Sequence, residues 1–264
     1  MIRVLMVVIV FFTCIRVEAA SFDHGRWDLL LQQHVAVLGE GRVTQVDYDG
    51  FLNDRGMLKK YLQSLSAVDR TTFDGYQPDQ QLAFLINAYN SWTVEMILTG
   101  YPGVESIKDL GSFFQSPWKK KFIPLLEKTR SLDDIEHNLI RGSGRYNDPR
   151  IHFAVNCASI GCPPLRAEAY TGEKLQTQLT EAVERFLSDR ERNRLSGRQL
   201  EISSLFKWYR QDFEKGWRGY RSLDQFLADF GESLGLDKQT AEEVRSGTID
   251  ITFLQYDWKL NGKK

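Results

Sequence analysis

Two cysteines offer the clearest chemistry in this sequence. Cys157 and Cys162 are separated by four residues in the segment NCASIGCPPLR. In an exported protein such a pair can close a small disulfide loop, and it can also exchange disulfides or supply a nucleophilic thiolate. A zinc site would need a second close pair of Cys or His ligands, which the sequence lacks. We therefore expect sulfur chemistry or a structural disulfide, with no bound metal and no cofactor.

A glutamate and a histidine stand side by side in a second segment, residues 131–142. Ser131 is a typical helix N-cap, acids follow in the first turn and a glycine ends the run, which predicts a short helix. In this helix Glu136 falls within the apolar face and His137 on its flank. A buried carboxylate needs a cation or hydrogen-bond donors. Glu136 is therefore expected to be a structural anchor, with Arg166 as a possible partner, or part of an active site.

A thiol enzyme is the first hypothesis for function. Cys157 would be the nucleophile, His137 the base, and Glu136 or Asn87 the group that orients the imidazole. Such an enzyme would be a hydrolase or acyltransferase that acts on a peptide or amide bond. Two alternatives stay open. One is a non-catalytic binding domain with a structural disulfide between Cys157 and Cys162, and the other is a thiol–disulfide redox protein that uses the same pair.

The residues that lead into Cys157 predict a buried strand. Residues 150–157 are mostly apolar and lie between an Asn-Asp-Pro turn and a glycine-proline turn, which favours a strand in the centre of a sheet. Side chains alternate between the two faces of a strand, so His152 and Cys157 should point to opposite faces and lie about 16 Å apart. Asn156 would share the face of His152. On this reasoning His152 is not the base for Cys157.

A long apolar helix is expected to position these segments. Residues 79–98 are apolar on nearly every side when wound as a helix, which predicts a buried central helix. Its polar stripe consists of Asn87, Ser91 and Glu95. Asn90 falls among apolar neighbours, where a buried amide needs hydrogen-bond partners.

Helical spacing dominates the first half of the chain, and short strands are expected in the second. Further helices are predicted near residues 27–38, 58–65, 172–190, 205–213 and 223–234. Strands are predicted near residues 200–202 and 248–256, and residues 41–48 form a loop or a short strand. Helices followed by strands indicate an α+β fold. We expect a single compact domain in which the central helix packs on a small, mainly antiparallel sheet.

The N-terminus predicts export. Arg3 precedes about a dozen mostly apolar residues, and the run ends at Arg16, well short of the roughly 20 residues that span a bilayer. Alanines at positions 19 and 20 offer a cleavage site. Residues 1–20 are therefore expected to be a signal peptide that is removed together with Cys14. The mature chain, residues 21–264, is expected in the periplasm with no transmembrane segment.

The composition is that of an ordinary globular protein. Hydrophobic residues make up 42% of the chain, charged residues 26%, and the formal net charge is −1. The basic excess that is typical of nucleic-acid binders is missing, so nucleic acid is not an expected partner. The expected partner is a small molecule or a peptide whose identity the composition does not specify.

Four motifs together resemble one protein family. They are LINAYN at 85–90, SLDDIEH at 131–137, IHFAVNC at 151–157 followed by CPPLR at 162–166, and YDWKLN at 256–261. In this order they resemble the family called domain of unknown function 547, over nearly all of the mature chain. The resemblance draws attention to the polar and thiol residues of the motifs: Asn87, Glu136, His137, His152, Cys157, Cys162 and Arg166. Residues of these types look like the parts of a papain-like or transglutaminase-like site.

Overall fold

The structure is a computed structural model that describes residues 21–112 and 114–263, apart from the side chain of Glu40. The predicted signal peptide at residues 1–20, with Cys14, lies outside the described residues. Within them the chain forms ten α-helices: α1 (Gly25–His34), α2 (Tyr48–Asn53), α3 (Arg55–Ser66), α4 (Arg70–Asp74), α5 (Pro78–Leu98), α6 (Leu175–Leu187), α7 (Ser204–Trp208), α8 (Arg210–Glu214), α9 (Leu223–Asp229) and α10 (Lys238–Arg245). The same residues form seven short strands: β1 (Val35–Leu38), β2 (Val43–Val46), β3 (Ile123–Leu125), β4 (Lys128–Arg130), β5 (Arg194–Ser196), β6 (Gln199–Ser203) and β7 (Asp250–Leu254). A π-helical segment covers Asp134–Ile140, and a 3₁₀ helix covers Pro149–Phe153.

Helix α5 is the buried centre of the fold, as its apolar surface predicted. Pro78 begins the helix, at a position where a backbone donor has no partner within the helix. From residue 81 to the end of α5, every side chain except Glu95 is buried. Glu95 forms an ion pair with Arg55 of α3 at 2.7 Å. The helix packs mainly against α3, α6 and the π-helical segment, so it places the Glu136 segment against the core.

The strands form three small sheets, which confirms the α+β class and the single compact domain. Strands β1 and β2 pair in antiparallel fashion, as do β3 and β4. In the third sheet β6 lies between β5, to which it is antiparallel, and β7, to which it is parallel. The strands predicted near residues 200–202 and 248–256 are β6 and β7. The single small sheet expected beneath α5 is instead divided into these three parts, and the main contacts of α5 are with helical segments.

The strand predicted at residues 150–157 is wrong. The Asp148 carboxylate accepts a hydrogen bond from the backbone N–H of Arg150 at 3.0 Å, and Pro149 occupies the first helical position between them. Both features favour a helical turn at this point. The chain therefore begins the 3₁₀ helix Pro149–Phe153 where the apolar pattern had indicated an extended strand.

A side-chain amide replaces the neighbouring strand that residues 154–157 would have needed. Asn90 of α5 donates from Nδ2 to the carbonyl of Ala154 at 2.9 Å, and its Oδ1 accepts from the backbone N–H of Asn156 at 2.8 Å. Buried backbone groups need such partners, whether these come from a sheet or from a side chain. The expectation that Asn90 is a buried amide with partners is confirmed.

Two apolar cores meet in this domain. The larger one surrounds α5 and α3, and the smaller one is built mainly from side chains of α6 to α9 and β6. None of the described helices combines the length and the apolar character needed to cross a bilayer.

Candidate functional site

A cavity of about 190 Å³ brings together most of the residues that the sequence singled out. Its lining joins the two cores, with Tyr89 and Val155 from the larger and Leu205 from the smaller. The polar and sulfur-containing part of the lining is Ser116, Asp133, Glu136, His137, His152, Cys157 and Cys162. The aromatic part is Tyr89, Trp118, Trp208, Tyr209, Tyr256 and Trp258.

Cys157 and Cys162 are joined in a disulfide on the wall of this cavity. Cys157 is partly exposed, whereas Cys162 is only 3% exposed. Cys162 Sγ accepts two hydrogen bonds, one from the backbone N–H of Cys157 at 3.0 Å and one from the hydroxyl of Tyr256 at 3.1 Å. The same hydroxyl lies 3.3 Å from Cys157 Sγ. Burial raises the pKa of Tyr256, so its phenol keeps the proton that it donates.

The chain near the C-terminus holds the disulfide loop in place. The backbone N–H of Ile160 donates to the carbonyl of Lys259, and that of Gly161 donates to the carbonyl of Asp257, each at 2.8 Å. A Cβ atom at Gly161 would lie 2.9 Å from the ring of Tyr256, closer than side chains tolerate. The glycine therefore permits the close approach that puts the tyrosine hydroxyl on the sulfurs.

Glu136 is 4% exposed, which confirms the expected burial. Its segment is capped at the N-terminus by Ser131, whose Oγ accepts from the N–H of Asp134 at 3.1 Å. The phenols of Tyr89 and Tyr209 lie beside the carboxylate and can donate hydrogen bonds to it. Burial, followed by the charge of Glu136, raises the pKa of both phenols. Glu136 Oε1 has no hydrogen-bond partner among the described residues.

The partner suggested for Glu136 is wrong, because Arg166 is engaged elsewhere. Arg166 pairs with Glu168 and, at 2.6 Å, with Glu181 of α6. Asn87 is also away from the cavity, although it lies on α5. Its Nδ2 donates to the carbonyl of Tyr170 at 2.7 Å, and its Oδ1 accepts from the N–H of the same residue at 3.0 Å. Both residues cross-link segments of the core and do not line the cavity.

His137 lies at the cavity edge, with both sulfurs in the same lining. Its side chain is 38% exposed. Nδ1 lies 2.8 Å from Arg141 Nη1, and because a guanidinium can only donate, Nδ1 is the acceptor. The ring proton is then on Nε2, 3.8 Å from Asp133 Oδ1. The role of His137 as a base stays a prediction, and it would require Arg141 to release the Nδ1 lone pair.

His152 lines the same cavity as Cys157, which the predicted strand would not have allowed. The 3₁₀ turn places it and Cys157 in the same lining, so the prediction that they point to opposite faces of a strand is wrong. Nε2 lies 2.7 Å from Asp212 Oδ2, and the ring stacks on Tyr209 with centroids 4.0 Å apart. Burial lowers the pKa of His152, so the ring is neutral near pH 7.

Asp212 fixes the tautomer of this histidine. Burial alone would raise the pKa of Asp212, but hydrogen bonds from His152, Arg141 and Lys215 outweigh burial and hold the pKa well below its usual range. The ionised carboxylate accepts the Nε2 proton of His152. Nδ1 of His152 is then a lone-pair acceptor, and it has no hydrogen-bond partner among the described residues.

Asp212, Tyr209 and Tyr256 line or support the cavity although no sequence pattern singled them out for a role. Asp212 lies 60 residues beyond His152 and Tyr256 lies 94 residues beyond Cys162, so neither contact leaves a local pattern. The one signal in the sequence is the motif at 256–261, which begins with Tyr256 but gives it no role. Among the described residues no cluster of three or more His, Cys, Asp or Glu side chains could hold a metal ion.

Comparison with known proteins gives a family but no activity. Residues 73–187 match the model of the family described as Protein of unknown function, DUF547. The matched segment contains α5, Glu136, His137 and both cysteines, whereas the motif at 256–261 lies beyond it. No curated protein and no solved structure matches the chain. This match, over 115 of the 264 residues, supports assignment of the chain to the DUF547 family.

Proposed function

We propose that this protein carries out thiol–disulfide exchange through Cys157 and Cys162. The observation that carries the proposal is the pair of donors on Cys162 Sγ, at 3.0 and 3.1 Å, in a disulfide that lines a cavity. The apolar N-terminal run supports a periplasmic location, where disulfides form and persist. The protein would act there after loss of residues 1–20.

The two sulfurs have different roles in this proposal. A substrate thiolate attacks Cys157 Sγ and forms a mixed disulfide, while the electron pair of the broken S–S bond passes to Cys162 Sγ. A second substrate thiolate then attacks the substrate sulfur of the mixed disulfide and releases Cys157 as a thiolate. The substrate leaves oxidised to a disulfide, and both protein cysteines are left reduced. The reverse sequence reduces a substrate disulfide.

Exposure and hydrogen bonding both favour this direction of attack. Cys157 is the more exposed residue of the pair, so an incoming thiolate meets it first. Cys162 is the leaving group, and leaving groups whose thiolate is stabilised depart faster. Hydrogen bonds to a charged acceptor are stronger than those to a neutral one. The donors from Cys157 N–H and Tyr256 therefore stabilise the thiolate more than the disulfide.

The rim of the cavity offers a surface on which a substrate chain can lie. Trp208 is 49% exposed, and its ring is 5.6 Å from that of Trp258 and 4.8 Å from that of Tyr256. Exposed, mutually packed aromatic rings of this kind are common in recognition sites. A peptide that crosses this surface would carry its sulfur to Cys157.

The test is the redox equilibrium of the mature protein with glutathione. The protein is equilibrated with buffers of graded ratio, acid-quenched and alkylated, and its thiols are counted by mass. Exchange predicts half-reduction within the range of glutathione buffers, roughly −180 to −260 mV. A variant with both cysteines changed to serine is the control for nonspecific labelling. A pair that stays oxidised at every ratio would mean a structural disulfide in a binding domain.

A thiol-dependent hydrolase or acyltransferase is the second candidate, and one observation favours it. Asp212 Oδ2 lies 2.7 Å from His152 Nε2 and orients the ring. His152 Nδ1 has no hydrogen-bond partner among the described residues, and His152 and Cys157 line the same cavity. A thiol beside an imidazole that is oriented by a carboxylate is the usual arrangement for nucleophilic catalysis. Hydrolysis of a peptide p-nitroanilide that needs prior reduction, and that His152→Asn abolishes, would establish this activity.

A further inference from the structure

Two buried acceptors in the cavity lack donors. Glu136 Oε1 and His152 Nδ1 have no hydrogen-bond partner among the described residues, and both side chains line the cavity and are more than nine-tenths buried. Buried polar atoms are normally paired, so an unpaired acceptor in a cavity is a position to which a bound ligand can donate a hydrogen bond. Because both atoms are acceptors, a ligand that pairs with them must carry hydrogen-bond donors.

The charges of the cavity indicate which kind of donor is missing. Asp133 and Glu136 contribute two carboxylates to the lining, which contains no Lys or Arg among the described residues. Neither carboxylate has a lysine or arginine nitrogen within 4.0 Å in that part of the chain. Arg141, the nearby guanidinium, is hydrogen-bonded to His137 and Asp212. A ligand with a positive charge would compensate this negative lining.

The aromatic walls fit the same kind of ligand. Tyr89 and Tyr209 lie beside the Glu136 carboxylate, and Trp118 and Trp258 also line the cavity, with ring centroids 5.8 Å apart. Aromatic faces attract organic cations, and cages of such rings bind ammonium groups. Trp258 already receives one, since Lys108 Nζ lies 3.7 Å from its ring centroid.

We propose that the cavity binds the primary ammonium group of the substrate, as on a lysine side chain. The alkyl stem lies between the aromatic walls, and the ammonium donates to Glu136 Oε1 and His152 Nδ1. This inference rests on the proposed function, because the ligand is then the exchange substrate, a thiol or disulfide peptide with a lysine near its cysteine. The cavity would select lysine-containing peptides over neutral or acidic ones.

The binding test is done on the oxidised wild-type protein, which needs no exchange. Isothermal titration with Nα-acetyl-lysine methylamide is compared with titration of the Nε-acetylated form and of the norleucine analogue. We expect the ammonium probe to bind at least about tenfold more tightly than either neutral probe, because only it can satisfy both acceptors and the charge. Equal binding of the three probes, or no binding of the lysine probe, overturns the inference.

Two variants locate the binding. Glu136→Gln is expected to weaken the lysine probe about tenfold or more and to leave the norleucine probe unchanged, while exposed Glu191→Gln changes neither. Asp133→Asn replaces Glu136→Gln if the latter fails to fold. A lysine preference that survives loss of these carboxylates also overturns the inference. If the lysine probe does not bind but the cysteines equilibrate with glutathione as expected, only the ammonium site is refuted. If the lysine probe binds but the cysteines never exchange with glutathione, only the redox function is refuted.

Discussion

Replacing Tyr256 with phenylalanine is the most informative single change at the disulfide. The hydroxyl is 3.1 Å from Cys162 Sγ and 3.3 Å from Cys157 Sγ, and Phe keeps the ring that packs against Gly161 and Trp208. The substitution therefore removes one hydrogen-bond donor with little loss of packing. If Cys162 leaves as a thiolate, the change should destabilise the reduced form more than the oxidised form.

The size of the effect follows from the strength of one hydrogen bond. A hydrogen bond to a charged acceptor contributes about 1.5–3 kcal/mol and one to a neutral acceptor about 0.5–1.5 kcal/mol, so the net loss in the reduced form is about 1–2 kcal/mol. At roughly 30 mV per 1.4 kcal/mol for a two-electron couple, Tyr256→Phe should make the reduction potential about 20–45 mV more negative. The same energy should raise the pKa of the Cys162 thiol by about one unit.

Two assays measure these shifts. The potential is read from the glutathione equilibrium of each variant, and the pKa from the pH dependence of alkylation of Cys162 in a Cys157→Ser background. Tyr220→Phe is the matched control. Tyr220 packs on Phe226 of the smaller core, so this substitution removes a phenol hydroxyl at a position away from the cavity. An unchanged potential and thiol pKa in Tyr256→Phe, or a shift of the potential to a more positive value, would refute the role assigned to the hydroxyl.

Three further predictions test other parts of the structure. Gly161→Ala places a Cβ 2.9 Å from the Tyr256 ring, so the glutathione equilibrium should show a potential shift of the same sign as Tyr256→Phe, and no shift would mean that the ring need not approach so closely. Asp212→Asn removes the carboxylate that holds three donors, and urea unfolding should show a loss of about 3 kcal/mol, because it leaves buried cationic and imidazole groups unpaired. Burial lowers the pKa of His24 from its ordinary value of 6.5 to about 4. Between these two pH values the unfolded chain binds a proton that the folded protein does not, so the free energy of unfolding should fall by about 3 kcal/mol as the pH drops from above 6.5 to 4. His24→Gln should flatten this dependence relative to wild type in unfolding measurements at pH 7 and pH 4.5, and an equal slope in both proteins would exclude His24 as its source.

The predictable parts of the fold are the elements whose apolar residues recur at short, regular spacing along the sequence. Helix α5 was predicted from its continuous apolar surface, and strands β6 and β7 from short β-branched runs. The failure at residues 150–157 has a specific cause. An apolar run does not distinguish a strand from a buried irregular segment, and the partner that decides the matter is Asn90, more than 60 residues away.

The residues of the candidate site also fall into those that local sequence patterns predict and those that depend on distant contacts. Burial of Glu136 and the flank position of His137 followed from helix phase, which is a local property. The contacts of Tyr256 and Asp212 did not follow, because each depends on how distant segments pack. Arg166 was expected to meet Glu136 because any buried carboxylate needs a partner, but the sequence does not say which cation lies nearby. In the structure two glutamates take Arg166, and Glu136 Oε1 is left without a partner among the described residues.

Thiol–disulfide exchange is tested most directly by the identity of the sulfur that captures a substrate. Cys162→Ser and Cys157→Ser are each reduced, mixed with oxidised glutathione, and followed by mass for formation of the protein–glutathione mixed disulfide. We expect Cys162→Ser, which keeps the partly exposed Cys157, to be captured at least about tenfold faster, since access governs the attack. Equal capture rates, faster capture by Cys157→Ser, or no capture by either variant would contradict it.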